Sequence, residues 1–389
     1  MKRLTLRPGK RHRVLQGHPW VFSNQLADVP KDLEPGELVE VVESDGRFVG
    51  LAHGHPNTLI SGRILERRAG VDVDEAWLRE RLQRAMTLRR RVCAGRTALR
   101  WLHGEADGLP GLIIDLYGDR AVATANSAGM ERWRPTLQRV LADGFGLSGL
   151  LWKCDGRGRE LEGLPPVVEA GFGDVDGPWI VDDDGVSVSF DPWGGQKTGL
   201  FLDMWENRRR MVPALARGRV VDLFSYVGQW GLHAAAAGAS DVTCVDRSVS
   251  ACAVVAQNAA ANDLSVRAVA ADVRRFLEDV PDRSLDAVVC DPPSFIRSRK
   301  DVAAGTRAYK GLFANALRTV NNGGVAVLAS CSHHLQEDRF ATVVADAAER
   351  SRRRLRVLVR GDQAPCHPVP LAVPESRYLK CWLVEVSDA

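Results

Sequence analysis

The sequence predicts an α/β protein, with a doubly wound seven-stranded sheet in its C-terminal part, preceded by a small β-barrel-like domain and a small α+β domain. Three observations carry that expectation. The stretch Arg219–Asp246 reads as a short apolar strand, a glycine-containing turn, an alanine-rich helix, a second strand and an acidic residue. Strands and helices then keep alternating, with strands expected at 220–223, 242–245, 267–270, 286–290, 323–330, 355–360 and 379–386. Polar residues able to do chemistry recur at the carboxyl ends of these strands, where open α/β sheets bind their ligands.

Size and composition narrow the classes. A chain of 389 residues, 45% hydrophobic and 26% charged, suits two or three ordinary globular domains. The formal charge is only +3, but it is unevenly placed: residues 1–20 hold Lys2, Arg3, Arg7, Lys10, Arg11 and Arg13 with no acid, and residues 61–100 hold eleven arginines against five acids. Such patches suit a polyanion such as RNA, and Lys2, Arg11 and Arg13 on this basic arm are candidate backbone contacts. Eight cysteines at 93, 154, 244, 252, 290, 331, 366 and 381 include no C-x-x-C pair, so neither a metal site nor a disulfide framework is expected. No run of apolar residues is long enough to span a membrane, and no apolar signal segment follows the basic start, so the expectation is a reduced, cytoplasmic protein.

The elements follow in order. Gly36–Val42, the turn Ser44–Arg47 and Phe48–Ala52 form a β-hairpin, with another strand near Ser61–Leu65, giving a first domain over residues 1–72. Asp74–Arg91 has the spacing of an amphipathic helix that leads into a second domain over 73–185. In it, two strands flank the Gly/Pro turn within 99–118, followed by strand 121–126, helix 130–142 and strand 149–153. His103, Glu105 and Asp107 alternate around that turn, and turn chemistry accounts for them better than a metal does. The third domain covers 186–389, and its Pro-rich loop 361–377 leaves room for a final antiparallel strand.

Within that third domain, Gly228 and Gly231 let the backbone pass close to a ligand at a helix start. Asp246 lies 18 residues after Gly228, about where nucleotide-binding α/β units keep the carboxylate that binds ribose hydroxyls. Asp272 stands before a helix, which suits an N-cap, and its place in the series of strand ends suits contact with an adenine amino group. In Asp291-Pro292-Pro293-Ser294-Phe295 the prolines fix a loop, the carboxylate can meet a base edge, and Phe295 offers a stacking surface. Cys331 leaves the sheet at the same end, where a nucleophile would sit, whereas Cys290 lies within its strand and reads as core.

Several motifs together resemble a known family: Gln196-Lys197-Thr198-Gly199, Phe201-Leu202-Asp203, Glu206-Asn207-Arg208, Phe224-Ser225-Tyr226 with Gly228, Asp291-Pro292-Pro293 with Phe295, Ser330-Cys331-Ser332 and Tyr378-Leu379-Lys380. The chain is similar to the RlmI-like bacterial methyltransferases of large-subunit (23S) rRNA, and the likeness extends to His18–Ser23 and Gly104–Gly111 in the front half. The resemblance implies an N-terminal PUA domain, a small central domain and a C-terminal Rossmann-like class I methyltransferase that uses S-adenosyl-L-methionine to make 5-methylcytosine. It implies Cys331 as nucleophile and Asp291 as its catalytic partner, with Pro292 and Phe295 meeting the substrate base. It also implies cofactor contacts from Lys197, Thr198, Phe224, Ser225, Tyr226, Gly228, Asp246 and Asp272. The implied partner is rRNA of the large subunit, with no membrane, and a homodimer is compatible with the chain. Two further readings stay open: an exocyclic-amine methyltransferase, which needs no cysteine, and a non-catalytic RNA-binding assembly factor. Gln229-Trp230 stands where the family often has Gly-Phe and is expected to crowd the cofactor turn. Ser294 stands where a lysine is frequent.

Overall fold

A computed structural model of the protein describes residues 1–9 and 12–389. The chain divides into two compact units: one comprises Met1–Trp179, Asp191–Leu202 and Pro365–Pro374, the other Ile180–Phe190, Asp203–Ala364 and Glu375–Ala389.

The first unit opens with six strands, β1 (Arg3–Leu6), β2 (Trp20–Phe22), β3 (Leu26–Asp28), β4 (Leu38–Val42), β5 (Phe48–Gly54) and β6 (Ile60–Glu66), in the order β2-β6-β5-β4-β1-β3. The expected β4–β5 hairpin is present, and the start of the expected basic arm, Arg3–Leu6, is a strand. In Arg-Leu-Thr-Leu the two leucines fall on one face of a period-two pleat, and Leu4 and Leu6 are buried. That burial holds β1 between β4, which runs parallel to it, and β3. Helix α1 (Glu75–Val92) starts at Asp74, whose carboxylate accepts the Trp77 N–H at 2.8 Å, an ordinary N-cap.

A second sheet holds β7 (Ala98–His103), β8 (Leu112–Tyr117), β9 (Arg120–Ala125), β10 (Gly149–Cys154) and β11 (Val167–Gly173), with α2 (Ala128–Gly144) between β9 and β10. The strands line up in the order β11-β10-β9-β8-β7, and β11 is an edge strand that the sequence reading missed. The turn between β7 and β8 is built as expected. Asp107 takes a bidentate pair from the buried Arg89 guanidinium at 2.6 and 2.7 Å, and Glu105 accepts the Trp20 indole N–H at 2.9 Å. These carboxylates are therefore structural anchors.

The second unit begins with a hairpin of β12 (Trp179–Asp183, all but Trp179 in this unit) and β13 (Val186–Phe190). There follow α3 (Trp205–Leu215), β14 (Arg219–Leu223), α4 (Gln229–Ala236), β15 (Asp241–Asp246), α5 (Val249–Ala261), β16 (Val266–Ala270), α6 (Val273–Asp279), β17 (Leu285–Cys290), α7 (Val302–Thr319), β18 (Val320–Ser330), α8 (Glu337–Arg350), β19 (Arg353–Gly361) and β20 (Lys380–Asp388). The sheet order is β16-β15-β14-β17-β18-β20-β19, with β14 to β18 parallel and β20 antiparallel to both of its neighbours. This is the seven-stranded doubly wound sheet expected, including its one antiparallel strand. Buried apolar side chains pack both faces, with α7 and α8 contributing Phe313, Leu317 and Phe340 on one and α3 contributing Met211 and Leu215 on the other.

The hairpin belongs with this sheet for a definite reason. Asn258 on α5 and Asn262, which caps that helix one turn further on, accept the Ser189 and Ser187 backbone N–H groups at 2.8 Å each, satisfying an otherwise open strand edge. A boundary at 185/186 falls in the turn of this hairpin, and its two strands stay together because they pair. No described helix is long and apolar enough to cross a membrane.

Candidate active site

In the second unit the strand order puts the carboxyl ends of β15, β14, β17 and β18 side by side, with the start of β20 next to them. The turn after β14 has three left-handed residues in five, Phe224 (φ 62°), Tyr226 (φ 49°) and Gly228 (φ 88°). Two of them are bulky non-glycine residues, so the conformation is costly and must be held by its surroundings. Asp246, ending β15, supplies part of that hold: one carboxylate oxygen accepts the Tyr226 N–H at 3.0 Å and the other the Ser248 N–H at 2.9 Å. Ser225 is buried, and its N–H is bonded to the Val245 carbonyl. Gly231 allows α4 to lie against the sheet, because a Cβ there would stand 2.3 Å from the Cys244 sulfur.

Below the turn lies Asp222, fully buried near the end of β14, with the Gly231 N–H donating to it at 3.0 Å. Burial, reinforced by the Asp291 and Asp246 charges, pushes its carboxyl up to about 8 against an ordinary value of 3.8. Sequence reading passed over it, although an acid between Val221 and Leu223 in a buried strand was a usable signal. At neutral pH the folded protein holds this proton and the unfolded chain does not, so stability from this group is full below the ordinary carboxyl range and is lost as pH rises through about 8. Asp222→Asn keeps an oxygen to accept the Gly231 N–H and removes the titration. The difference in unfolding free energy between variant and wild type should therefore move in the variant's favour from acid pH up to about 8, as followed by denaturant titration. A pH-independent difference would mean Asp222 is ionised in the fold.

Asp272 is exposed and caps α6, its Oδ1 accepting the Arg274 and Arg275 N–H groups at 3.0 and 3.3 Å. The N-cap expected of it is therefore present, made through one of its two carboxylate oxygens. Asp291 follows β17 half-buried, and the loop through Pro292 and Phe295 runs toward the end of β18. Ser294 joins Ser332 through their hydroxyls at 2.8 Å, Ser332 joins the Tyr309 hydroxyl at 2.9 Å, and the Phe295 ring lies 4.7 Å from that of Tyr309. Ser294 thus ties the Asp-Pro-Pro loop to the segment that carries Cys331.

Cys331 is half-buried just past β18, whereas the other seven cysteines are buried, Cys290 among them. Beside it is Lys380, the first residue of β20 and 4% exposed, whose ammonium donates to the carbonyls of Ser332 and Tyr378 at 2.7 Å each. Burial pulls this ammonium down to about 8 from its ordinary 10.5. In the sequence Lys380 stands only as the end of the Tyr378-Leu379-Lys380 motif, with no role, and Tyr309 is not marked at all, because only the antiparallel register of β20 and the loop path bring them to Cys331.

The remaining family motifs build the frame. Tyr378 donates its hydroxyl to Asp203 at 2.7 Å, Asn207 donates to the Asp362 carbonyl at 2.9 Å, and buried Arg208 pairs with buried Asp183 at 2.8 Å. Gln229, expected to crowd the turn, points away from it: its amide donates to Asp183 at 2.7 Å, and Trp230 packs into the apolar core. The crowding is absent because both side chains are taken up inside the fold.

Lys197 and Thr198 belong to the first unit. The Thr198 hydroxyl donates to Asp115 at 2.6 Å and contacts the Tyr117 hydroxyl at 3.1 Å, so it serves that unit's own buried network. Lys197 is exposed, with a left-handed backbone (φ 51°) and its ammonium 4.5 Å from the Phe201 ring centre. Lys2 pairs with Glu37 at 2.9 Å, which spends much of its charge inside the domain. Arg13 is exposed, and Arg11 lies outside the described residues. No group of three or more metal-ligating side chains occurs among the described residues.

Comparison with known proteins adds the family. Residues 4–67 match the profile described as a PUA-like domain, and residues 199–354 match the methyltransferase small domain. Proteins named ribosomal RNA large subunit methyltransferase I are similar over 99% of both chains, at 35% identity in Shewanella denitrificans and 34% in Shewanella frigidimarina. Among solved structures, a Streptococcus mutans protein described as a SAM-dependent methyltransferase superposes with a TM-score of 0.82 at 19% identity, covering 99% of this chain and 100% of that one. A methyltransferase complexed with SAH gives 0.83 at 20% identity, with the same coverage. These two likenesses concern the fold: a PUA-like domain followed by a Rossmann-like methyltransferase sheet. The full-length identity to these curated relatives makes the chain a member of the RlmI-like family of large-subunit ribosomal RNA methyltransferases.

Proposed function

We propose that the protein is a cytoplasmic, S-adenosylmethionine-dependent enzyme that methylates carbon 5 of a cytosine in 23S rRNA through a transient bond from Cys331 to the base. The observation that carries this reading is Cys331 itself. It alone of the eight cysteines is not buried, and it stands at the ligand-binding edge of the sheet beside a buried lysine. The names of the full-length relatives supply the RNA class, and the PUA-like match over residues 4–67 fits an RNA-binding module.

The residues present suit the cofactor. A left-handed turn at Phe224–Gly228 gives a close backbone approach, and the half-buried Asp246 carboxylate at the end of β15 suits paired ribose hydroxyls. S-adenosylmethionine, when bound, supplies an electrophilic methyl group. Carbon 5 of cytosine is a poor nucleophile, and the chain's task is to activate it. The Cys331 thiolate forms a bond to carbon 6, and the electron pair of the 5,6 double bond moves toward carbon 5 and the N3 edge. Asp291, sharing a proton with N3, stabilises that charge. Carbon 5 would then take the methyl group as the donor's methyl carbon–sulfur bond breaks and S-adenosylhomocysteine leaves; carbon 5 gives its proton to a base, and the Cys331 sulfur leaves as the 5,6 double bond re-forms.

Two measurements test this reading. Asp246→Ala should weaken S-adenosylmethionine binding by about 1–3 kcal/mol, the scale of hydrogen bonds to a charged group, as read by calorimetry. Unchanged affinity would remove Asp246 from the site. RNA carrying 5-fluorocytosine at the target cannot release the carbon-5 substituent as a proton. A denaturation-resistant protein–RNA complex should therefore accumulate, dependent on both S-adenosylmethionine and Cys331. Methyl transfer to ordinary RNA with no trapped complex on the fluorinated one would favour direct methylation of an exocyclic amine, for which the Asp291-Pro292-Pro293 loop would hold the amino group.

A further inference from the structure

We infer that Lys380 is a positioning residue that holds the Cys331 sulfur in its thiolate form. The inference rests on Cys331 being the nucleophile, and it adds the group that makes the sulfur reactive. Lys380 pairs with Ser330 across the antiparallel β18–β20 ladder, next to the point where the chain turns out through Cys331. Its ammonium is fixed by the Ser332 and Tyr378 carbonyls at 2.7 Å each. An ammonium has three N–H bonds, so two are committed and one remains for an anion.

The anions in reach narrow to one. The charged and titratable groups that act most strongly on Lys380 are Cys331 beyond β18, Glu337 on α8, and Asp362 and Arg377 in the segment between β19 and β20, with His333 also within its field. Glu337 accepts the Trp382 indole N–H at 3.0 Å, and Asp362 is paired with Arg377 at 2.5 Å. No carboxylate forms an ion pair with Lys380 among the described residues, although a buried cation without a counter-charge is costly. The Cys331 sulfur is the group left to supply that charge, and it heads the influences that keep the lysine protonated against burial. On the other side, Tyr309 also feels the sulfur, but its hydroxyl is bonded to Ser332 and pushed up to about 12, so it stays neutral. An ammonium beside a thiolate favours the ionised sulfur, the usual route to a reactive cysteine.

The test reads the sulfur without RNA or methyl donor. The folded protein is alkylated with iodoacetamide across a range of pH, and modification of the Cys331 peptide is followed by mass spectrometry. Wild type should show a midpoint below the roughly 8.5 of an ordinary thiol. Lys380→Gln keeps hydrogen-bond donors for the two carbonyls without the charge, and Lys380→Met removes both. Each should move the midpoint up by about one pH unit or more, with the fold checked by thermal melting. A folded variant whose profile superimposes on wild type would overturn the inference. So would a wild-type midpoint at or above the ordinary thiol range, which needs no variant to fold. The outcome is separable from the proposed reaction. A lysine-dependent profile together with a Cys331→Ala protein that still methylates would sink the reaction and leave this pairing intact, and the converse pattern would sink only the pairing.

Discussion

Cys331→Ala should abolish methylation, by roughly 10^4–10^6-fold, the scale on which loss of a covalent nucleophile is felt in other enzymes. Its S-adenosylmethionine affinity should stay within experimental error of wild type. Both halves matter, because Cys331 stands after β18 whereas the proposed cofactor contacts stand after β14 and β15. The side chain is only half-buried, so removing its sulfur leaves no large cavity, and the fold should tolerate the change. Single-turnover assays with labelled donor, paired with calorimetry, read the two quantities. A folded Cys331→Ala protein with near-normal turnover would mean that the thiol is packing.

Asp183→Ala should destabilise the second unit by about 3–5 kcal/mol, the range seen when one partner of a buried ion pair is removed. Asp183 is 1% exposed, and its carboxylate receives Arg208 at 2.8 Å and the Gln229 amide at 2.7 Å. Arg208, itself 2% exposed, would be left as an uncompensated buried cation. The loss should also reach the cofactor turn, since Gln229 begins α4 directly after Gly228. Replacing Asp183 and Arg208 together by apolar residues should restore much of the stability, because the penalty comes from the orphaned charge rather than from the absence of a pair. Denaturant unfolding of the two singles and the double measures this, and additive single effects would contradict it.

The sheet was legible in the sequence because its signals are local. Short, mainly apolar runs such as Val220–Leu223 and Ala287–Cys290 mark buried parallel strands without reference to the rest of the chain. The antiparallel β20 was foreshadowed by the Pro-rich loop before it. What stayed hidden depends on contacts between distant residues. β11 is half-exposed and carries two glycines and a glutamate in seven residues, so its pattern is weak, and only pairing with β10 makes it a strand. The arginines of the first residues drew attention to charge, whereas Leu4 and Leu6 determine the structure there. The Gln229-Trp230 departure looked like crowding because the chain alone does not show that Asp183, 46 residues earlier, receives the glutamine. Lys380 reads as the tail of a motif until the β18–β20 register sets it beside Cys331. Motif recognition supplied the candidate groups, and the register shows which of them stand side by side.

The most direct measurement is the identity of the product. The protein is incubated with large-subunit rRNA and labelled S-adenosylmethionine, the RNA is digested to nucleosides, and the labelled nucleoside is identified by chromatography and mass spectrometry. A single labelled species, 5-methylcytidine, is expected, and it should be absent with Cys331→Ala. Label on an exocyclic amine, or on any base other than cytosine, would contradict the proposed reaction.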